Sequence, residues 1–525
     1  MPLASSSLRA LLAALLLVGL AAPLAAQDVP AVDPVEQGVL QEEPVLDPEA
    51  ELGLDELEGA EVDTLQEEVQ EAEAADDHGH GADPALWSVL PFAILLLMIA
   101  TGPLFYLHHW HHHYPKYAVA LGAVVAVYYL AVLHAPTPMV HALEEYIAFI
   151  ALVGSLFIAS SGIFINVNAK GTPAANVVLL LIGSVVANLI ATTGAAILFI
   201  RPFLRLNQGR LRPYHIVFFI FLVANVGGGL TPIGDPPLFL GFLRGVPFFW
   251  TLFNVLHIWI PTVIILLGIF YAIDRRNVAK STTPVTPGAA TFTIEGKKNF
   301  VFVAVIIASV FVDPGVLSWV PELHIGDAHM PFGIREIVML SVMFLAYKFG
   351  DQGALKKNEF TFEPIREVGW LFLGIFATMQ PALNLISSFA RANADALSQT
   401  SFYWGTGILS GVLDNAPTYL NFLAASMGKF GLDVDDPAAV QAFADGVSAS
   451  GPETVIFLTA ISVAAVFFGA LTYIGNAPNF MVKAICEANG ADTPSFGGYV
   501  AKYSIPILIP VYALVWLVFF SGYLF

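Results

Sequence analysis

The sequence holds a single cysteine, Cys486, in 525 residues, which excludes an intramolecular disulfide and any cysteine-based metal cluster. Charge is almost as scarce. Only 12% of residues are charged, about half the share typical of a soluble domain. No Walker motif, GxSxG elbow or HExxH signature occurs, so neither ATP-driven pumping nor an intramembrane hydrolase finds support. No aromatic residue precedes Trp87, and no lysine or arginine lies between Gln27 and Asp83.

What is present is apolar. Hydrophobic residues make up 57% of the chain, with a mean hydropathy of +0.72. The formal charge of −20 is local, because residues 27–83 hold 20 Asp/Glu. The rest of the chain is close to neutral, so the acidity says nothing about what the protein binds. A segment so acidic and so poor in apolar residues cannot offset its ordering entropy and is expected to be disordered. Ahead of it, Arg9, the apolar run 11–20 and the small residues before Gln27 resemble a secretory signal peptide. The expected organisation is a signal peptide (1–26), an acidic disordered extracytoplasmic segment (27–84), a first repeat (85–280), a cytoplasmic linker (281–299) and a second repeat (300–525).

Ten full membrane spans are expected, near 87–107, 117–134, 145–167, 214–247, 250–272, 300–318, 335–350, 367–385, 454–485 and 503–523. Two further apolar stretches, 175–200 and 401–427, are interrupted in their middles by Ala-Thr-Thr-Gly (191–194) and Asp-Asn-Ala-Pro (414–417). Cytoplasmic loops carry the excess of Lys and Arg. That rule is satisfied if both interrupted stretches are re-entrant hairpins and the N-terminal tail lies outside. Arg201, Arg205, Arg210, Arg212, Arg275, Arg276, Lys297, Lys298, Lys356 and Lys357 then fall in the cytoplasm, and only Arg244, Arg335, Arg391 and Lys429 outside. The fold class is therefore an all-α integral membrane protein: an inverted repeat of five transmembrane helices plus one re-entrant hairpin per half, with discontinuous helices. A multi-pass location in the inner (plasma) membrane follows, with the mature N-terminal tail and the C-terminus extracytoplasmic.

The repeat shows in the letters. TPIGDPPLFL (231–240) aligns with TYIGNAPNFM (472–481), sharing Thr, Ile, Gly, Pro and Phe. Gly and Pro in mid-span free backbone groups that lipid cannot satisfy, so such breaks belong where protein or a polar cavity covers them. The hairpin tips, IATTGAAI (190–197) and LDNAPTYL (413–420), form the second pair. One tip plus the following break makes a half-site. Thr192, Thr193, Thr231 and Asp235 supply oxygens in the first; Asp414, Asn415, Thr418, Thr472 and Asn476 supply them in the second. Asn188 and Asn225, beside a tip and a break, either join helices or help hold the ion. Hydroxyl, amide and carboxylate oxygens suit a hard cation. Asp235 and Asp414 stand out, since a carboxylate at membrane depth is a functional candidate by default; each is alternatively a half-helix cap.

These motifs, over roughly residue 85 to the C-terminus, resemble the ion transporter superfamily, which includes citrate and dicarboxylate transporters, arsenite permeases and D-type Na⁺/H⁺ antiporters. The resemblance implies a homodimer, a scaffold and a moving transport domain in each subunit, and sodium sites at tips and breaks. The Na⁺–dicarboxylate branch carries Ser-Asn-Thr at both tips, where this chain has Ala-Thr-Thr (191–193) and Asp-Asn-Ala (414–416). Neither half-site contains Arg or Lys to pair with citrate. Both departures favour cation exchange.

The expected function is thus secondary active transport, a Na⁺/H⁺ antiport in which both ions compete for buried carboxylates, with Na⁺- or H⁺-coupled symport of citrate or a related small carboxylate as the alternative. A non-transporting membrane receptor or enzyme is the third reading. No enzymatic activity and no cofactor beyond the coupling ions is expected, and the lipid bilayer but no nucleic acid is a partner. His108, His109, His111, His112 and His113, read as the cytoplasmic end of the first span, are either interfacial or a pH-sensing or transition-metal cluster. Glu144 and Glu145 read as interfacial.

Overall fold

The computed structural model describes residues 84–522 apart from 169–170, 280–290, 449–450 and short stretches between 314 and 331. The expected signal peptide and acidic segment lie outside the described residues. In chain order the elements are α1 (Leu86–Phe105), α2 (Leu107–Val132), α3 (Thr137–Ser161), β1 (Phe164–Asn168), α4 (Pro173–Leu206), α5 (Pro213–Leu222), α6 (Pro236–Leu243), α7 (Trp250–Ala279), β2 (Thr291–Glu295), α8 (Asn299–Ser309), α9 (Ile334–Phe349), α10 (Gln352–Lys357), α11 (Glu363–Ala392), α12 (Gln399–Val412), α13 (Asn415–Lys429), α14 (Pro437–Asp445), α15 (Glu453–Phe468), α16 (Ala477–Ala488) and α17 (Phe496–Phe519). Eight helices among them are long and apolar enough to cross a membrane. The protein is an all-α, multi-pass membrane protein.

α4 is a hairpin rather than a rod. A straight helix would separate residues 176 and 207 by about 46 Å, yet their side-chain amides bond each other reciprocally, both at 2.8 Å. The chain turns at Ile190 (φ −126°, ψ 19°) and Ala191 (φ 64°, ψ 157°). A positive φ on alanine is backbone strain of the kind that persists at functional sites. The second interrupted stretch also reverses: Phe402 of α12 and Phe422 of α13 bring their rings to 6.1 Å across the turn at Leu413–Asp414.

Both predicted breaks are present. Between α5 and α6 the chain passes through a short 3₁₀ turn (Val226–Gly228) and an irregular segment to Asp235; between α15 and α16 it does the same through Gly469–Leu471 to Asn476. The residue before each second half-helix has the same extended backbone, φ −144°, ψ 143° at Asp235 and φ −152°, ψ 138° at Asn476. Each segment folds tightly on itself. A Cβ on Gly234 would lie 2.2 Å from the Gly228 carbonyl oxygen, and one on Gly475 2.6 Å from that of Gly469. Only glycine permits that approach, which is why the repeat shares it.

Three local readings are corrected. The histidine run does not end the first span: α1 stops at Phe105, Tyr106 turns the chain, and the histidines are the opening turns of α2. The span read as 145–167 stops at Ser161. Gly162 ends the helix, and the β-branched residues of Phe164–Asn168 pair antiparallel with Thr291–Glu295, which lies within the expected linker. The span read as 300–318 is helical only over the 11 residues of α8, about 16 Å. It stops short of Asp313-Pro314, where the proline disfavours helix in the residue before it. Glu145 has an ion-pair partner that the sequence did not show. It is half-buried against Arg244, which also grips Asp435, so one guanidinium ties α3, the end of α6 and the loop after α13.

Candidate functional site

The four interrupted elements meet at Asp235. Its side chain, 1% exposed, accepts a hydrogen bond from the Thr192 hydroxyl at 2.8 Å and from the Asn476 amide at 2.9 Å on one oxygen. The Asn415 amide donates to the other at 2.6 Å. Thr192 comes from the first hairpin tip, Asn415 from the second, Asn476 from the second break and Asp235 from the first. Thr192 and Asn415 are equivalent positions in the two tips, as Asp235 and Asn476 are in the two breaks. The repeat therefore closes on a single carboxylate. Three neutral donors partly offset the several kcal/mol that burying a charge costs, and none of them supplies a countercharge.

Asp235 and Asp414 separate here. Asp235 precedes α6 but makes no bond to that helix's amides. Asp414 does cap its helix, accepting from the Ala416 N–H at 3.0 Å. It remains half-buried and lines a cavity of about 550 Å³ together with Thr193 and Asn476. Asp414→Asn is expected to keep its stability, because Asn caps as well as Asp, whereas Asp414→Ala loses about 1 kcal/mol. Thermal unfolding of the two variants in detergent measures the difference.

Most of the other candidates hold the breaks together. Asn188 donates to the Gly227 carbonyl at 2.6 Å and accepts from the Leu230 N–H at 2.8 Å. The Thr231 hydroxyl donates to Asn188 O at 2.6 Å and accepts from the Gly234 N–H at 3.1 Å. Thr472 repeats the pattern, donating to Gly411 O at 2.7 Å and accepting from the Gly475 N–H at 3.2 Å. These side chains satisfy backbone groups that the breaks release. Thr418 donates to Asp414 O within the first turn of α13.

Asn225 joins the two breaks by donating to Asn479 Oδ1 at 2.6 Å. Asn479 in turn donates to Gly469 O and Thr472 O. It was not a candidate from sequence, although it stands out as the polar residue where the aligned motif has Leu238. The Asn225 and Asn415 side-chain oxygens are buried with no hydrogen-bond partner among the described residues. The Asn415 oxygen, on the amide that donates to Asp235, adds an uncommitted oxygen of the kind a hard cation takes.

The cavity extends along the returning arm of the first hairpin from Thr193 to Arg201, about 12 Å of helix. Its charged lining comprises Glu359, Glu363, Glu367 and Asp414 against Arg201 and, when protonated, His111. Arg201 is 9% exposed and bonds Glu359 at 2.9 Å, while its second terminal nitrogen has no partner among the described residues. An arginine ten residues beyond a hairpin tip, inside an apolar run, was the available sequence signal. His108, His109 and His112 are exposed and only His111 reaches the cavity.

Residues 81–520 match the family described as "Putative citrate transport". The chain belongs to this family. The protein is accordingly a citrate-transporter-like membrane transporter, and the match covers every element that contributes to the Asp235 site. No curated protein matches the sequence.

Proposed function

We propose that this citrate-transporter-like protein is a secondary active transporter in which Asp235 binds the driving cation, and that it exchanges Na⁺ for H⁺. The convergence of both hairpin tips and the second break on the Asp235 carboxylate carries this reading. A site assembled from four discontinuous elements is altered whenever those elements shift, which is what alternating access requires. Proton and Na⁺ compete for the same carboxylate, and competition at one alternately exposed site is sufficient for antiport. The four carboxylates around the cavity favour cation entry over anion entry. By the positive-inside rule, the face bearing Arg201 and Arg205 is cytoplasmic. The cavity then leads from the cytoplasm, with the two halves inverted across the membrane.

Cation-coupled symport of citrate or a similar carboxylate is the second reading. The observation in its favour is Arg201, a largely buried guanidinium on the cavity that Asn476 of the Asp235 site also lines. Everted membrane vesicles separate the two. Exchange gives an immediate change in the pH gradient on adding Na⁺ or Li⁺. Symport gives accumulation of labelled citrate that needs a Na⁺ or proton gradient. Absence of both fluxes from purified, reconstituted protein rules out either reading.

A further inference from the structure

The opening turns of α2 carry two pairs of histidines with helical i, i+4 spacing, His108 with His112 and His109 with His113. That spacing puts both rings of a pair on one helix face. The ring centroids lie 4.8 Å apart in the first pair and 4.4 Å in the second.

A second feature concerns the ring nitrogens. His112 Nδ1 lies 2.9 Å from the His108 carbonyl oxygen. A carbonyl can only accept, so Nδ1 carries the hydrogen and, in the neutral ring, the Nε2 lone pair is free. Metal-binding histidines use this arrangement, with one nitrogen donating to a carbonyl while the other ligates. The two pairs differ in availability. His109 Nε2 is engaged at 2.8 Å by the Tyr117 hydroxyl, and His113 is half-buried. His108 and His112 are both exposed.

We infer that His108 and His112 form a surface binding site for a divalent transition metal ion of the imidazole-preferring class, Cu²⁺, Ni²⁺ or Zn²⁺. Among the described residues no three His, Cys, Asp or Glu side chains converge to hold a metal. The site therefore offers two protein nitrogens and leaves the other positions to water, which suits tetragonal Cu²⁺ or Ni²⁺ better than a closed structural zinc site. It lies one residue from His111, which lines the cavity, and it is separate from the oxygen-lined Asp235 site.

Untagged protein titrated with Cu²⁺ and Ni²⁺ in a calorimeter, with an electron paramagnetic resonance spectrum of the copper form, tests the inference. The expected result is one site with two-nitrogen hyperfine structure. It weakens at least about tenfold in His108→Ala and in His112→Ala, since each variant loses one of two ligands and a tenfold change in Kd is only about 1.4 kcal/mol. His109→Ala and Asp235→Asn keep it. Affinity falls as pH drops and the imidazoles protonate. Unchanged copper binding in both alanine variants overturns the assignment, as does a spectrum with only oxygen ligands. Because both side chains are exposed, the variants are expected to fold, and their unfolding midpoints check this.

Discussion

An Asp235→Asn protein is expected to fold and reach the membrane but to lose cation-driven transport by at least about 100-fold. The substitution preserves shape and removes only the charge. A unit charge about 4 Å from a cation contributes about 4 kcal/mol at an effective dielectric constant of 20, and each 1.4 kcal/mol is about one decade in Kd. Stability has the opposite sign. The carboxylate sits among neutral donors with no countercharge, so neutralising it in cation-free buffer leaves the unfolding midpoint unchanged or raises it. The new side chain can keep its oxygen toward Thr192 and Asn476, while the Asn415 amide, whose oxygen has no other partner among the described residues, reverses to accept from the new amide. Na⁺-induced pH changes in vesicles measure the loss, and thermal unfolding without Na⁺ measures the sign. Wild-type exchange by Asp235→Asn is incompatible with Asp235 as the exchanging carboxylate.

Asn188→Ala is expected to produce the largest stability loss of any candidate site residue. It strands the Gly227 carbonyl and the Leu230 N–H, which Asn188 pairs at 2.6 and 2.8 Å inside the protein. A buried group left unpaired costs about 1–3 kcal/mol, so the two together cost about 2–6 kcal/mol. Asn188→Asp keeps the acceptor and loses the donor, and is expected to fall between alanine and wild type unless its new charge dominates. Thermal unfolding in detergent provides the comparison. An alanine variant with an unaltered midpoint shows that water or neighbouring groups satisfy the break instead.

Much of this architecture was legible in the sequence, for identifiable reasons. Hydropathy located the hairpins at 175–200 and 401–427, and the structure extends them only to Pro173–Leu206 and Gln399–Lys429. Gly234 and Gly475 were legible because no other residue fits their contacts. What was not legible was which oxygen does what. Letters alone gave Asp235 and Asp414 equal standing; three side-chain donors from other elements on Asp235, and a helix-capping bond at Asp414, separate them. Thr231, Thr472 and Asn188 looked like ligands because hydroxyls and amides serve equally well to satisfy broken backbone. Asn479 and Arg201 were overlooked because their roles depend on contacts across the chain. Asn225 reaches Asn479 over 254 residues, and Arg201 reaches Glu359 over 158. The partner of Glu145 was equally hidden, because Arg244 lies 99 residues away.

The most direct test of Asp235 as the cation site is Na⁺ binding to purified protein, followed calorimetrically across a range of pH in wild type, Asp235→Asn and Asp414→Asn. The expected result is a wild-type Kd that rises as pH falls, by up to about tenfold per unit where the carboxylate is mostly protonated, because proton and Na⁺ compete for it. Asp414→Asn keeps that dependence, and Asp235→Asn binds no measurable Na⁺. Binding by Asp235→Asn with wild-type affinity and the same pH dependence contradicts the assignment and moves the cation elsewhere.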